Sequence, residues 1–320
     1  VGRMKDEPGD FQFRSFGELV QEPPEAVAWQ WDGILPSGGT SILAARPKVG
    51  KSHTALALAL RTAKGLDFLG RACRQGPVLY VACEGKRQRV VGLLRDMGAA
   101  ESDPLHLHFG PPPIPRSARP EDRIPLLVAA LEQQITLTSA VLVVIDTLFK
   151  FFLVVDVNDY SIVNNTLAPL EYVSRRTGAH IIALHHLNKI ESGEIGQGFL
   201  GSTAIVGAVD TALELRRKDQ QRELASLQRY GDDLAPTVLR LDDARVPTNG
   251  GSVEGYAVRE AQQRIVQILE DEGELQASGL AEKVAGKTEI YGKALRELLE
   301  RGTVKMRPEG KRRIYSLAIL

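Results

Sequence analysis

The chain has 320 residues, 43% hydrophobic and 25% charged, with 40 Lys+Arg against 40 Asp+Glu. That length suits about two domains with a sizeable buried core, and the even charge balance excludes nucleic-acid binding through overall charge alone. The only cysteines, Cys73 and Cys83, have no Cys/His cluster around them and predict reduced thiols rather than a metal or redox centre.

Residues 1–25 contain Pro8, Pro23 and Pro24 and read as an extension with one short helix. The polar start V-G-R-M-K-D-E-P-G-D predicts no secretory signal. No apolar run approaches the roughly 20 residues that span a bilayer, so the expected setting is the cytoplasm, without membrane partners.

From 26 to 244, short apolar runs alternate with helical stretches. Strands are expected at Thr40–Ala45, 77–83, 141–146, 180–185 and 209–215, with helices at 52–64, 86–97, 123–134 and 160–177. Continuously apolar strands between helices predict an α/β domain with a mainly parallel central sheet covered on both faces. Segments 224–230 and 237–241 flank G-D-D-L-A-P and predict an antiparallel hairpin.

The segment A-R-P-K-V-G-K-S at 45–52 meets the phosphate-loop pattern at Gly50, Lys51 and Ser52, with Ala45 where the first glycine is usual. An apolar strand precedes it and H-T-A-L-A-L-A-L-A follows as a helix. Loop and helix N–H groups cradle phosphate in this context. Ala45, Arg46, Pro47, Lys48, Val49, Gly50, Lys51, Ser52 and His53 therefore form the candidate ATP-binding segment. Lys51 is expected on the β/γ-phosphates and Ser52 on Mg²⁺.

Two strand tips supply acids. V-L-V-V-I-D ends on Asp146, the candidate second Mg²⁺ ligand, and P-V-L-Y-V-A-C-E ends on Glu84, the candidate base that activates water. A structural turn for Asp146 and a helix cap for Glu84 are the bland alternatives. H-I-I-A-L-H-H-L-N-K puts His185 and His186 on opposite sides of a further strand, so one of them can face the nucleotide. The imidazoles of His53, His106, His108 and His180 have no comparable constellation.

With these residues assembled, the chain resembles the RecA/DnaB-like superfamily, in its branch of RepA-type plasmid replicative helicases and related AAA-labelled ATPases. The resemblance spans about residues 26–243 and rests on the phosphate loop with its strand, V-L-Y-V-A-C-E-G, V-V-I-D-T-L-F-K-F, L-H-H-L-N-K and G-S-T-A-I-V-G-A-V-D. It implies a RecA-like P-loop NTPase in which Lys51 binds phosphate, Ser52 and Asp146 hold Mg²⁺, Glu84 activates water and His186 contacts the γ-phosphate. It also implies a homo-oligomer, commonly a ring hexamer, whose sites are completed by a neighbour's arginine. Loops 149–159 and 189–201 would line a channel for single-stranded DNA. The arginine's position aligns with Asp210, leaving Arg216 or Arg217 to serve, and the second loop carries Glu191 and Glu194.

Residues 245–255 are rich in Gly, Pro, Ser and Asn without apolar periodicity and read as a linker. Beyond it, helices at 259–272, 277–285 and 289–301 and a hairpin of 303–307 with 312–317 outline a winged helix-turn-helix domain over 256–320. Lys305, Arg307, Lys311, Arg312 and Arg313 concentrate positive charge on that hairpin and are the candidate DNA contacts. Two functions follow: an oligomeric Mg²⁺-dependent ATPase acting on DNA as a replicative or mobile-element helicase, or a slowly hydrolysing, ATP-controlled DNA-binding regulator. A nucleotide binder without turnover is the third reading.

Overall fold

The structure, a computed structural model, describes residues 13–23, 26–115, 117–154, 160–187, 206–218, 221–284, 287–310 and 312–318. A short helix α1 (Phe16–Leu19) lies in the expected extension, capped by Ser15 and Glu18. A small antiparallel pair follows, β1 (Trp29–Trp31) with β2 (Leu35–Pro36).

The central sheet takes its parallel strands from β3 (Thr40–Ala45), β4 (Val78–Ala82), β5 (Leu105–Phe109), β6 (Leu142–Asp146), β7 (His180–His186) and β8 (Thr211–Lys218). Antiparallel β9 (Gln221–Gln228), β10 (Thr237–Leu241) and β11 (Pro247–Ser252) continue it. The order is β11-β10-β9-β8-β3-β7-β6-β4-β5. The expected mainly parallel α/β sheet and the 224–241 hairpin are both present.

Side-chain alternation divides the core. Leu43, Tyr80, Val144, Ile182 and Leu184 face one layer, with α2 (Lys51–Lys64) and α3 (Arg87–Asp96). Ile42, Val81, Val143, Ile145 and Ala183 face the other, with α4 (Arg123–Thr138), α5 (Leu148–Phe151) and α6 (Tyr160–Thr177). Strands buried on both faces need apolar residues at every position, which is why they read as unbroken hydrophobic runs.

Two expectations are corrected. The linker 245–255 is largely strand β11, hydrogen-bonded to β10. It lacks apolar periodicity because it is an edge strand with little buried surface, and its Gly250 and Gly251 are strand residues. The helix expected from 259 begins at Val253, where the Ser252 hydroxyl caps the N–H of Gly255. Strand β5, L-H-L-H-F, also escaped the sequence reading, since its half-exposed alternation resembles a loop.

The C-terminal elements are α7 (Val253–Glu272), α8 (Ala277–Val284), α9 (Thr288–Glu300) and a sheet ordered β12 (Leu275–Gln276), β14 (Arg312–Leu317), β13 (Val304–Glu309). They enclose their own core of Val258, Ile265, Leu269, Leu280, Leu298 and Tyr315. Among the described residues, no helix is long and apolar enough to cross a membrane.

Candidate functional site

The loop after β3 turns into α2 through Lys48 and Gly50, whose φ angles are 66° and 118°. Ala45 is the last residue of β3, fully buried and paired with His186 and Leu215. It is not among the positive-φ residues, so the strand geometry accepts alanine where the loop pattern usually has glycine. The N-cap of α2 is Gly50, and no side chain caps the first turn. The N–H groups of that turn are therefore left for an anion.

The second residue beyond each apolar strand residue shares its face. Tyr80 and Ala82 face α2, so Glu84 continues on that side; Val144 carries Asp146 there, and Leu184 carries His186. Strand order then sets β3, β7, β6 and β4 side by side, and Lys51, His186, Asp146 and Glu84 meet along their C-terminal ends in one cavity of about 610 Å³. This is where open parallel sheets bind ligands. His185 faces the other layer, its ring edge-on to Phe149 at 5.0 Å, and burial lowers its pKa to about 4.

Lys51 Nζ lies 3.3 Å from His186 Nδ1, and His186 Nε2 lies 3.3 Å from Glu84 Oε2. An ammonium only donates, so Nδ1 accepts and the ring proton sits on Nε2, pointing at Glu84. Thr147 Oγ1 donates to Glu84 Oε1 at 3.0 Å. Burial pushes the Glu84 carboxyl up. Hydrogen bonds to His186 and Thr147, with the charge of Lys51, oppose it and hold Glu84 below the ordinary range. Burial likewise lowers the Lys51 pKa, against the pull of Asp146 and Glu84. A poorly hydrated ammonium facing a cavity gains strongly from an anion.

Tyr80 donates to Asp146 Oδ2 at 2.9 Å, while Asp146 Oδ1 is buried with no hydrogen-bond partner. Burial raises the Asp146 pKa, and Ser52, Tyr80 and Lys51 oppose it. An ionised, buried carboxylate oxygen without a donor is costly unless a cation takes it. Ser52 and Asp146 thus fit a Mg²⁺ shell, and Mg²⁺ held there would neutralise charge on the β- and γ-phosphates.

The cavity is mostly cationic: besides Lys51, Arg46, Lys48, Lys86, Arg89, Arg222 and Arg245 line it, against Glu84 and Asp146 as its acids. His53 lines it too, bonded through Nε2 to the Arg245 carbonyl at 2.6 Å. Pro47 and Val49 belong to the loop itself, Pro47 exposed and Val49 buried.

Other expected residues fall elsewhere. Asp210 is buried, accepting from the Thr40 N–H at 2.9 Å and pairing with Arg229 at 3.2 Å, so it braces the start of β3. Arg216 lies on the face away from α2 with Glu223 at 4.0 Å. His180 is buried between Ser41 and the Pro36 carbonyl, a structural imidazole as expected. Lys305, Arg307, Arg312 and Arg313 are exposed on the β13–β14 hairpin, and Arg307 pairs with Glu274 at 2.6 Å and Glu309 at 3.4 Å. Lys311, loop 189–201 and residues 155–159 lie outside the described residues.

Arg222 and Arg245 were missed by sequence reasoning. They come from the antiparallel extension, where no motif marks them.

A phosphate loop between a parallel strand and a helix, with acids on neighbouring strand tips, defines a nucleotide-binding P-loop domain. The chain matches the AAA domain family over residues 6–192 and belongs to it, a family of P-loop ATPase-like, RecA/DnaB-like domains. The match begins inside the expected extension and ends before β8. No curated protein matches the chain.

Proposed function

We propose that the protein is a Mg²⁺-dependent ATPase of RecA-like type that acts on DNA as a homo-oligomer. The observation that carries the reading is the Lys51–His186–Glu84 chain of contacts beside the unpartnered Asp146 oxygen. Lys51 binds the β/γ-phosphates. Ser52 and Asp146 hold the metal. Glu84, ionised at neutral pH, orients the attacking water and takes its proton, while the Nε2–H of His186 reports on the γ-phosphate. The C-terminal order of helix, strand, two helices and hairpin supports reading that unit as a winged helix, with Lys305, Arg307, Lys311, Arg312 and Arg313 as its DNA contacts. A neighbour's Arg216 or Arg217 would complete the site in a ring, with loops 149–159 and 189–201 on the DNA channel.

A second reading is favoured by the contacts of Glu84. Both carboxylate oxygens are engaged, by Thr147 and His186, which suits slow hydrolysis and an ATP-controlled DNA-binding regulator with the winged helix as output. Turnover measured on the purified protein with and without single-stranded DNA separates them. Stimulation by DNA supports the motor; a slow rate indifferent to DNA supports the switch. Absence of ATP hydrolysis under both conditions rejects the enzyme.

A further inference from the structure

The cavity that holds Lys51, His186, Glu84 and Asp146 is also lined by Gly50, His53, Leu239 and Arg222. Arg222 stands on β9, opposite Leu239 of β10, outside the segment matched to the family. Two strand positions on, Leu224 packs in the α2-side core, so Arg222 emerges on the α2 face of the sheet.

Its Nε donates to the Val49 carbonyl at 2.6 Å. A Cβ on Gly50 would lie 3.2 Å from that Nε, so the glycine lets the arginine lie against the loop. Among the described residues Arg222 makes no ion pair with a carboxylate, although it is part-buried. An arginine anchored by Nε and left unneutralised in a cavity presents its remaining donors to an anion. It meets the loop at Val49 and Gly50, ahead of Lys51 and Ser52, and its charge is also felt at His53 in the first turn of α2.

We propose that Arg222 binds the α- and β-phosphates of a nucleoside triphosphate held by its own chain, acting within the subunit rather than as a neighbour's finger. The inference rests on the ATPase reading above. It assigns the antiparallel extension a binding role: β9 clamps the outer side of the phosphate loop that β3 and α2 form.

The test uses the full chain and compares Arg222→Gln with Arg222→Lys. Gln retains a donor for the Val49 carbonyl without charge; Lys retains the charge. Affinities for ATP and ADP should fall together by about 10–100-fold in Arg222→Gln, the usual worth of a charge-assisted hydrogen bond. Turnover at saturating ATP should stay within about threefold, and Arg222→Lys should recover most of the affinity. Unchanged ATP and ADP affinity in Arg222→Gln reduces Arg222 to a loop staple and overturns the proposal. A large loss of turnover with normal ADP affinity assigns it to the γ-phosphate and also overturns it. At ATP concentrations that leave Arg222→Gln unsaturated, adding Lys51→Ala chains should not restore its turnover; restoration would place the arginine across a subunit boundary. Lys51→Ala alone is the control on the underlying reading. If it binds nucleotide normally, the phosphate loop itself is wrongly assigned, whatever Arg222 does.

Discussion

His186 Nε2 lies 3.3 Å from Glu84 Oε2, joining the tip of β7 to the tip of β4 across β6. Because Lys51 occupies the other ring nitrogen, the imidazole can only donate to the carboxylate. In His186→Ala the leading contact that lowers the Glu84 pKa is gone, so that pKa should rise in the nucleotide-free protein. A carboxyl NMR titration of Glu84 checks it; an unmoved midpoint would show that the contact does not form in solution.

Glu84→Gln keeps the size of the side chain and loses its basicity. Mg·ATP should still bind, and turnover should drop by about 10²–10⁴-fold, the range for a general base. Near-normal turnover in this variant would return Glu84 to a structural role beside Thr147.

Lys51→Ala removes the cation at the centre of the cavity. Nucleotide binding should be lost while the far-ultraviolet circular dichroism stays that of the parent. The residue is 6% exposed and its charged form is poorly hydrated, so its loss should not unfold the domain. Calorimetric titration with ATP reads the outcome, and retained affinity would remove the phosphate-loop assignment.

Asp146→Asn should separate stability from function. The folded-state pKa of Asp146 is raised, so the native state holds its proton more tightly than the unfolded chain. Its contribution to stability is therefore greatest below the unfolded pKa and declines as pH rises from there through the folded pKa. Once ionised the buried group is a cost, and the amide should leave the nucleotide-free melting temperature equal or higher. The same substitution should abolish the added stabilisation from Mg·ATP. A marked fall in the nucleotide-free melting temperature would mean that the charge is compensated by a partner.

On the C-terminal hairpin the cations are not equivalent. Lys305→Ala, Arg312→Ala and Arg313→Ala should each flatten the slope of log affinity for duplex DNA against log salt by about 0.9. Arg307→Ala should do less, because Glu274 and Glu309 already neutralise it. Equal slopes for all four variants and the parent would leave the hairpin charges merely solvated.

Much of this protein was legible in the chain itself. Gly50-Lys51-Ser52 between an apolar strand and a helix announces a phosphate loop because backbone N–H geometry is local. The runs ending at Glu84, Asp146 and His186 announce strand tips because doubly covered parallel strands must be apolar throughout. Strand order is a different matter: it depends on pairings between residues more than a hundred positions apart, such as Ala45 with His186. Only that order shows that His186 rather than His185 shares a face with Lys51, and that one imidazole bridges Lys51 and Glu84. The antiparallel extension was hidden for the same reason. Pro247–Ser252 has the composition of a linker, yet β10 supplies its hydrogen bonds. Arg222 has no motif around it, and the close approach of β9 to a loop 173 positions earlier is what brings its charge to the phosphate-binding cavity.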